Sequence, residues 1–521
     1  AYMMAFFIGA SLMAIVSSAS YVASPSCPAY RLLNRGIANS PTAIGNFTAN
    51  SVEECCDRCS NTPACTAWSY HPPNTSMANE CWLMAVPAPE HGVPGSVISG
   101  ITVSPTQPPS PLPLPQTKGA LGFRPNIVFV LTDDQDATQH SMEAMPLTRT
   151  RYGLDAGTQC TGGGSCFNLT RAYVATPICC PSRSSYLTGK YIHNHHTIQN
   201  SGQMGCAGAE WVAMQEPRGY AAYLATAGYR TGFFGKYLNA YGHTTSAPPS
   251  HVPHGWHEWV GLLGNSAYYD YTLSINGTTE QHGSDYSKDY LTDLLANRSV
   301  IWLHEQLGSI TTNPIACVVH TPAPHRPAIP APQYMDSFSN RTAPRTPSWN
   351  VVSKDKHRWL SELTPMDQIT TEYSDHLWRR RLRSLQSVDQ VVERQFAAVE
   401  AAGALNRTVF IYTSDHGYHS GQWGVAYCKM LPYEEDVRVP MFIRLPVART
   451  QEARFAFNIA AMMISSVVIN IDLAPTLLDL AGYPDTPDMD GQSLIPMLLQ
   501  HANPSSDPAA SALVMVCSHF A

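Results

Sequence analysis

The chain has 521 residues, of which 44% are hydrophobic and 14% charged. That is a globular composition with room for one large domain and a smaller one, and it excludes a disordered chain. The net charge of −7 argues against a nucleic-acid partner, although an acidic protein can still hold an anionic sugar through a few local cations.

Residues 3–16 are apolar, and mostly small residues follow through Ser24. This is the length of a signal-peptide core and too short to span a bilayer. No basic stretch precedes it and the chain begins at Ala1, so residues 1–25 read as an incomplete signal peptide. Fourteen cysteines and seven Asn-x-Ser/Thr sequons, at Asn46, Asn74, Asn168, Asn276, Asn297, Asn340 and Asn406, agree with passage through the secretory route. The expected destination is the extracellular space or cell wall, or a lysosome or vacuole, with no transmembrane span.

Cys27, Cys55, Cys56, Cys59, Cys65 and Cys81 crowd into residues 27–100 and predict a disulfide-stapled module whose pairing the sequence leaves open. The run Ser51-Val52-Glu53-Glu54-Cys55-Cys56, with Cys59, Cys65-Thr66-Ala67-Trp68 and Cys81-Trp82-Leu83, resembles the PAN/apple domain. The resemblance implies a carbohydrate or protein ligand; the plainer reading is a stapled spacer. Residues 104–117 are rich in proline and predict an extended, semi-rigid linker.

From Arg124 the pattern changes. Residues 126–131 form an apolar run of strand length that ends in Thr132-Asp133-Asp134. A helical stretch at 220–227 stops at Gly228, and a strand at 230–234 leads into Gly235-Lys236. Residues 314–320 predict another buried strand. Leu385, Val388, Val392, Phe396 and Val399 then recur at helical spacing, and 408–413 predict a fourth strand that runs into Asp415-His416. Helices alternating with continuous apolar strands imply an α/β domain with a mostly parallel sheet. Ligands of such sheets bind beyond the carboxyl ends of the strands, so Asp133, Asp134, Lys236, His325 and Asp415-His416 are expected to converge. Adjacent carboxylates at a strand end repel unless a cation neutralises them, and an oxygen-rich set suits Ca²⁺ or Mg²⁺.

The most informative string is Cys179-Cys180-Pro181-Ser182-Arg183, continued by Leu187-Thr188-Gly189-Lys190. It resembles the activation signature of the formylglycine-dependent sulfatases, and only Cys179 fits the register. The resemblance implies an α/β, alkaline-phosphatase-like sulfatase fold over residues 124–521, with a mostly parallel central sheet flanked by helices, beside the small disulfide-rich N-terminal module. It implies that a formylglycine-generating enzyme oxidises Cys179 to an aldehyde, whose hydrate attacks sulfur. It also implies one Ca²⁺, with Mg²⁺ as the alternative, held by Asp133, Asp134, residue 179, Asp415 and His416. Arg183 would orient the hydrated aldehyde. Lys236 and Lys429 would hold sulfate oxygens, with Lys190 assisting from further along. His325, in Ala323-Pro324-His325, would act as general acid toward the leaving alcohol. In the implied two-step reaction the alcohol leaves first, and the second hydroxyl then expels sulfate. Leu238 stands where many arylsulfatases carry a histidine, so the base for the second step is open among His193, His195 and His196.

Gly235-Lys236-Tyr237-Leu238-Asn239 and Thr321-Pro322-Ala323-Pro324-His325 resemble the N-acetylglucosamine-6-sulfatase subgroup, which implies a 6-O-sulfated glucosamine in a glycosaminoglycan-like glycan. Related endosulfatases share the Asp-His pair at 415–416. The wider alternatives are an arylsulfatase or endosulfatase, and an inactive sulfatase-fold protein that binds carbohydrate. Arg379, Arg380, Arg381 and Arg383 read first as a solvated helix face and second as a surface for a polyanionic glycan. The apolar segment 455–469 reads as an insertion, either a core strand or helix or a misread exon. The C-terminal subdomain expected of the family reads as missing or truncated.

Overall fold

The computed structural model describes four strands between residues 43 and 101, then residues 115–116, 118–309, 313–446, 461–483 and 488–502. The signal-peptide, linker and six-cysteine pairing expectations fall outside the described residues, as do most of the insertion before 461 and everything past 502. The chain divides into two units, residues 1–110 and 111–521.

In the first unit, β1 (Ala43–Thr48), β2 (Ala67–Tyr70), β3 (Glu80–Met84) and β4 (Ile98–Ile101) form an antiparallel sheet in the order β1-β3-β2-β4.

The second unit is built on one ten-stranded sheet. Its strands are β5 (Asn126–Thr132), β6 (Ser165–Tyr173), β7 (Arg230–Lys236), β8 (Glu258–Leu262), β9 (Thr272–Ile275), β10 (Thr278–Gln281), β11 (Ile315–His320), β12 (Thr408–Ser414), β13 (Met441–Leu445) and β14 (Met462–Ile469). The order is β10-β9-β8-β7-β11-β5-β12-β13-β6-β14. Only β9 and β13 run against the others. The four strands expected from apolar runs are the central β7, β11, β5 and β12, paired in parallel. The remaining six are shorter or carry polar residues, so their apolar runs are too weak to stand out in the sequence.

β5, β11 and β12 are buried along their whole length because helices cover both faces. Alternation sorts their side chains: Ile127, Phe129 and Leu131 join the core on one face, and Val128 and Val130 join the core on the other. The helix Cys179–Thr188, with Tyr220–Thr226 and Leu473–Ala481, contributes to the first core; Leu291–Gly308 and the long helix Gln368–Ala401 contribute to the second. The long helix starts well before the stretch legible by periodicity, and the Asp367 side chain caps it by accepting from the Thr370 N–H. The described part of the apolar insertion is β14, a strand parallel to β6 on the sheet edge. Ile464 and Val468 turn inward from it while Met463 and Val467 face out. No helix among the described residues is long and apolar enough to cross a membrane.

Gly235 sits where β7 presses on β11. Its φ is +117°, and a Cβ there would stand 1.9 Å from the His320 carbonyl oxygen, so only glycine lets the strand deliver Lys236.

Phe396, on the long helix, stacks on Phe410 of β12 at 3.8 Å and is fully buried. Phe396→Ala should therefore lower unfolding free energy by about 3–5 kcal/mol in a denaturant titration, through lost burial and the cavity left behind.

Candidate active site

Four parallel strands end side by side, and each contributes polar groups at its carboxyl end. Asp133 and Asp134 follow β5, Lys236 closes β7, His325 follows β11 after a short turn, and Asp415-His416 follow β12. The helix Cys179–Thr188 aims its first residue at the same place. Every residue of that helix is buried. A thiol at a helix N-terminus feels the positive end of the backbone dipole.

The two adjacent cysteines have different fates. Cys180 is disulfide-bonded to Cys206, and its N–H donates to Asn200 Oδ1 at 2.8 Å. Cys179 stays a free, fully buried thiol. Asn470 fixes the helix start by donating to Ser182 O at 3.2 Å and Ser182 Oγ at 3.0 Å, while Ser182 Oγ donates to the Asp415 carbonyl.

Around the Cys179 sulfur stand Lys429 Nζ at 3.2 Å, His416 Nε2 at 3.5 Å and Asp133 Oδ1 at 3.7 Å. Lys236 Nζ donates to Asp133 Oδ2 at 2.6 Å and to Asn265 Oδ1 at 3.0 Å. Ser266 Oγ also donates to Asp133, and Lys429 to Asp134. Arg183 Nε donates to Asp415 Oδ2 at 2.9 Å and its Nη1 to the Lys236 carbonyl at 2.7 Å, tying the β7 end to the β12 end. The Asp134 N–H donates to Asp415 Oδ1 at 3.0 Å, and Asp134 holds a left-handed φ of 74° to make that turn.

Lys429 lies on a loop, and buried groups hold that loop. His419 and Cys428 exchange backbone hydrogen bonds at 2.9 and 3.3 Å, His419 Nδ1 meets Asp436 Oδ1 at 2.8 Å, and Asp436 Oδ2 accepts from the Leu431 N–H at 2.8 Å.

Electrostatics in this pocket are strong because water is excluded. Burial works to raise the Cys179 pKa, but Lys236 and Lys429, helped by a hydrogen bond with His325, outweigh both burial and Asp133 and hold it well below an ordinary thiol. Burial likewise works to raise Asp133, and Lys236, His325, Arg183 and Lys429 reverse it. For Asp415, burial and the Asp133 charge win over His416 and Arg183 and push it up to about 6. Three carboxylates packed this tightly call for more positive charge than their own surroundings supply to Asp415.

The donor set fits a hard divalent cation. Ligand atoms of Asp133, Cys179, Asp415 and His416 all lie within 4.8 Å of one another, as do those of Asp133, Asp134, Cys179 and His325. His416 Nδ1 faces the Gly417 carbonyl at 3.0 Å, so Nδ1 carries a proton and donates there. Nε2 then points at Asp134 and Asp415 from 3.5 and 3.6 Å, too far for good hydrogen bonds. A ring held by its far nitrogen with the near one aimed at carboxylates is the arrangement of a metal-ligating histidine. Asp133, Asp134, Asp415 and His416 could therefore hold Ca²⁺ or Mg²⁺, with residue 179 beside it.

Other expected residues lie elsewhere. His195 is buried against Ser185 Oγ at 3.0 Å and its Nδ1 accepts from the Thr197 N–H; burial takes its pKa down to about 4. His193 stacks on Tyr191, and His196 meets Glu210. The imidazoles that reach Cys179 are His416 and His325 instead. Lys190 faces Asp488, Asp490 and Arg218. Arg381 corrects the reading of a solvated arginine face: it is buried and donates to the Asp134 carbonyl at 2.7 Å and Asp136 Oδ1 at 2.9 Å. Its spacing from Leu377, Trp378, Leu385 and Val388 was the available signal. Asn265 and Ser266 had none, since they sit in a loop without periodicity.

With this geometry in place, the likeness to known proteins is specific. The Sulfatase family model matches residues 125–483 and the PAN domain model residues 38–84. The chain belongs to the sulfatase family. It is 42% identical over 377 residues to the extracellular sulfatase SULF-1 homolog of Drosophila melanogaster, covering 72% of this chain and 31% of that protein. It is 41% identical over 384 residues to the N-acetylglucosamine-6-sulfatase of Homo sapiens, covering 73% of this chain and 65% of that one. The matched region thus spans from under a third to just under two thirds of these curated relatives. A solved structure in complex with its substrate D-glucosamine-2-N,6-O-disulfate shares the fold, with a TM-score of 0.55 at 23% identity, over 72% of this chain and 80% of its own.

Two outcomes follow from the geometry. Ca²⁺ at about a hundred times its dissociation constant should stabilise the protein by about 2.7 kcal/mol, seen as a rise in melting temperature that Asp415→Asn removes. An unchanged melt of the wild type would count against the cation site. Cys180→Ser should cost about 2–4 kcal/mol of stability by opening the bond to Cys206, whereas Cys179→Ala, which breaks no bond, should cost less.

Proposed function

We propose that the chain hydrolyses sulfate esters of sugars, with the 6-O-sulfate of N-acetylglucosamine in a glycosaminoglycan-like glycan as the substrate. The observation that carries this reading is the free thiol of Cys179 at a helix start, facing three aspartates and two lysines in the sequence context Cys-x-Pro-x-Arg. Oxidised to formylglycine, residue 179 would supply a hydrated aldehyde as nucleophile, and a Ca²⁺ held by Asp133, Asp134, Asp415 and His416 would supply positive charge beside it.

The chain's own groups account for the rest. Lys429 and Lys236 flank the nucleophile, and their ammonium groups are placed to bind the sulfate oxygens and offset charge that grows as the ester bond breaks. Arg183 holds Asp415 and the end of β7 in fixed relation, so the donors need not reorganise during the reaction. Burial would lower the His325 pKa, but Asp134 and Asp133 raise it above an ordinary imidazole. Its imidazole is placed to donate to the departing sugar oxygen. His325, neutral once it has given its proton to the leaving alcohol, rather than His193, His195 or His196, takes the proton when sulfate is expelled.

The substrate assignment is supported by the relatives: one is named an N-acetylglucosamine-6-sulfatase, another an extracellular sulfatase, and the structural neighbour holds a glucosamine disulfate. In the same reading the protein passes through the secretory route, meets a formylglycine-generating enzyme there, and acts in the extracellular space or wall or in a lysosome-like compartment. The PAN domain takes a carbohydrate or protein ligand.

Mass spectrometry of the tryptic peptide spanning Cys179, from a host that carries out the conversion, should find an aldehyde in place of the thiol. Sulfate release from N-acetylglucosamine 6-sulfate should exceed release from galactose or iduronate esters, and Cys179→Ala should reduce it about 10⁴-fold or more. An unconverted thiol would sink the hydrolase reading in favour of a sulfatase fold that only binds carbohydrate. Equal rates on the three esters would sink the subgroup.

A further inference from the structure

Arg326 follows His325 directly and is exposed. Its guanidinium lies over the Tyr427 ring, 5.1 Å from the centroid, is hydrogen-bonded to Tyr418 and has Tyr373 nearby, and it forms no salt bridge with a carboxylate among the described residues. Tyr373 in turn packs on Tyr427 with centroids 5.0 Å apart and is 42% exposed. An exposed arginine ordinarily samples many rotamers. Here an aromatic face fixes the plane of the fork and Tyr418 takes one hydrogen bond, while the other edge N–H groups of the five-donor fork have no carboxylate partner and can take a planar or tetrahedral anion.

The position of this pair is tied to the reacting atoms from both ends. Arg326 is joined to His325, whose imidazole reaches Cys179, across about 3.8 Å of backbone. Tyr427 stands two residues before Lys429, whose Nζ touches the Cys179 sulfur. The cations nearer the sulfur, Lys236, Lys429 and Arg183, are engaged with Asp133, Asp134 and Asp415. Arg326 is not. Behind it, Arg380 donates to the Ala328 carbonyl at 3.4 Å, and Arg379 and Arg383 donate to the Arg341 and Ser337 carbonyls at 2.9 and 2.6 Å. These arginines crowd one another and His376, so the field on this side of the site is positive.

We propose that Arg326, stacked on Tyr427, forms a subsite for a second anionic group of the substrate, on the side of the sugar that leaves. The group is a sulfate or a carboxylate carried on the same sugar or on its neighbour. The inference rests on the hydrolase reading for its location, but its test does not require turnover.

Calorimetric binding to the Cys179→Ala protein provides that test. The probes are N-acetylglucosamine 6-sulfate, glucosamine 2-N,6-O-disulfate, and a 6-O-sulfated disaccharide whose second charge is a uronate carboxylate. Adding Arg326→Ala should weaken the doubly charged ligands by roughly tenfold or more and the monosulfate by less than about threefold. Arg326→Lys should recover part of the difference, and Tyr427→Ala should reproduce part of the loss. A selective loss confined to the disulfate identifies the anion as sulfate; a loss on the uronate ligand identifies a carboxylate. Equal weakening of all three ligands, or of none, overturns the subsite. If the wild type releases no sulfate but the selective loss is seen, the subsite stands and the hydrolase reading falls.

Discussion

The structure turns on one constraint: three carboxylates, Asp133, Asp134 and Asp415, are buried together around one thiol. Such a cluster cannot persist in a low-dielectric interior without compensating charge. Lys236, Lys429 and Arg183 supply part of it by direct contact. The same contacts determine where those cations stand, so the need to bury acids and the need to bind an anion are met by one set of groups. The elevated pKa of Asp415 marks where the compensation is least complete.

This arrangement is affordable only on a rigid frame. The acids sit at the ends of fully buried parallel strands, where the backbone is already fixed by ladders on both sides. The thiol sits on a helix buried on every side, pinned by a disulfide one residue away and by Asn470. Lys429 is the exception, since a loop carries it. The buried His419–Asp436 pair substitutes for regular structure there. Precision at the sulfur therefore comes from packing well outside the pocket.

Much of the frame and of the pocket was legible in the sequence. The apolar runs of β5, β7, β11 and β12 announce themselves because both faces of each strand are buried, and the polar residues that end them mark the strand tips. Arg381 was misread because a run of arginines looks solvated, while the helix turns one of them inward to meet the Asp134 carbonyl. Asn265 and Ser266 were invisible because nothing in a loop's sequence says which strand end it will lie across. His195 is one of three histidines, with His193 and His196, among which the sequence leaves the base open; the fold buries it against Ser185.

By itself the sequence determined the class of fold and the acids and Lys236 at strand ends, because hydrophobic period is a local property; the choice of Cys179 over Cys180, and of Lys429, came from the resemblance of short local strings to the sulfatase signature. Only the tertiary structure decided which histidines face the thiol, which arginine supports an aspartate from behind, and which lies over a tyrosine at the rim without a carboxylate partner. Those choices depend on distances between residues remote in the chain, and such distances exist only once the sheet has brought its strand ends together.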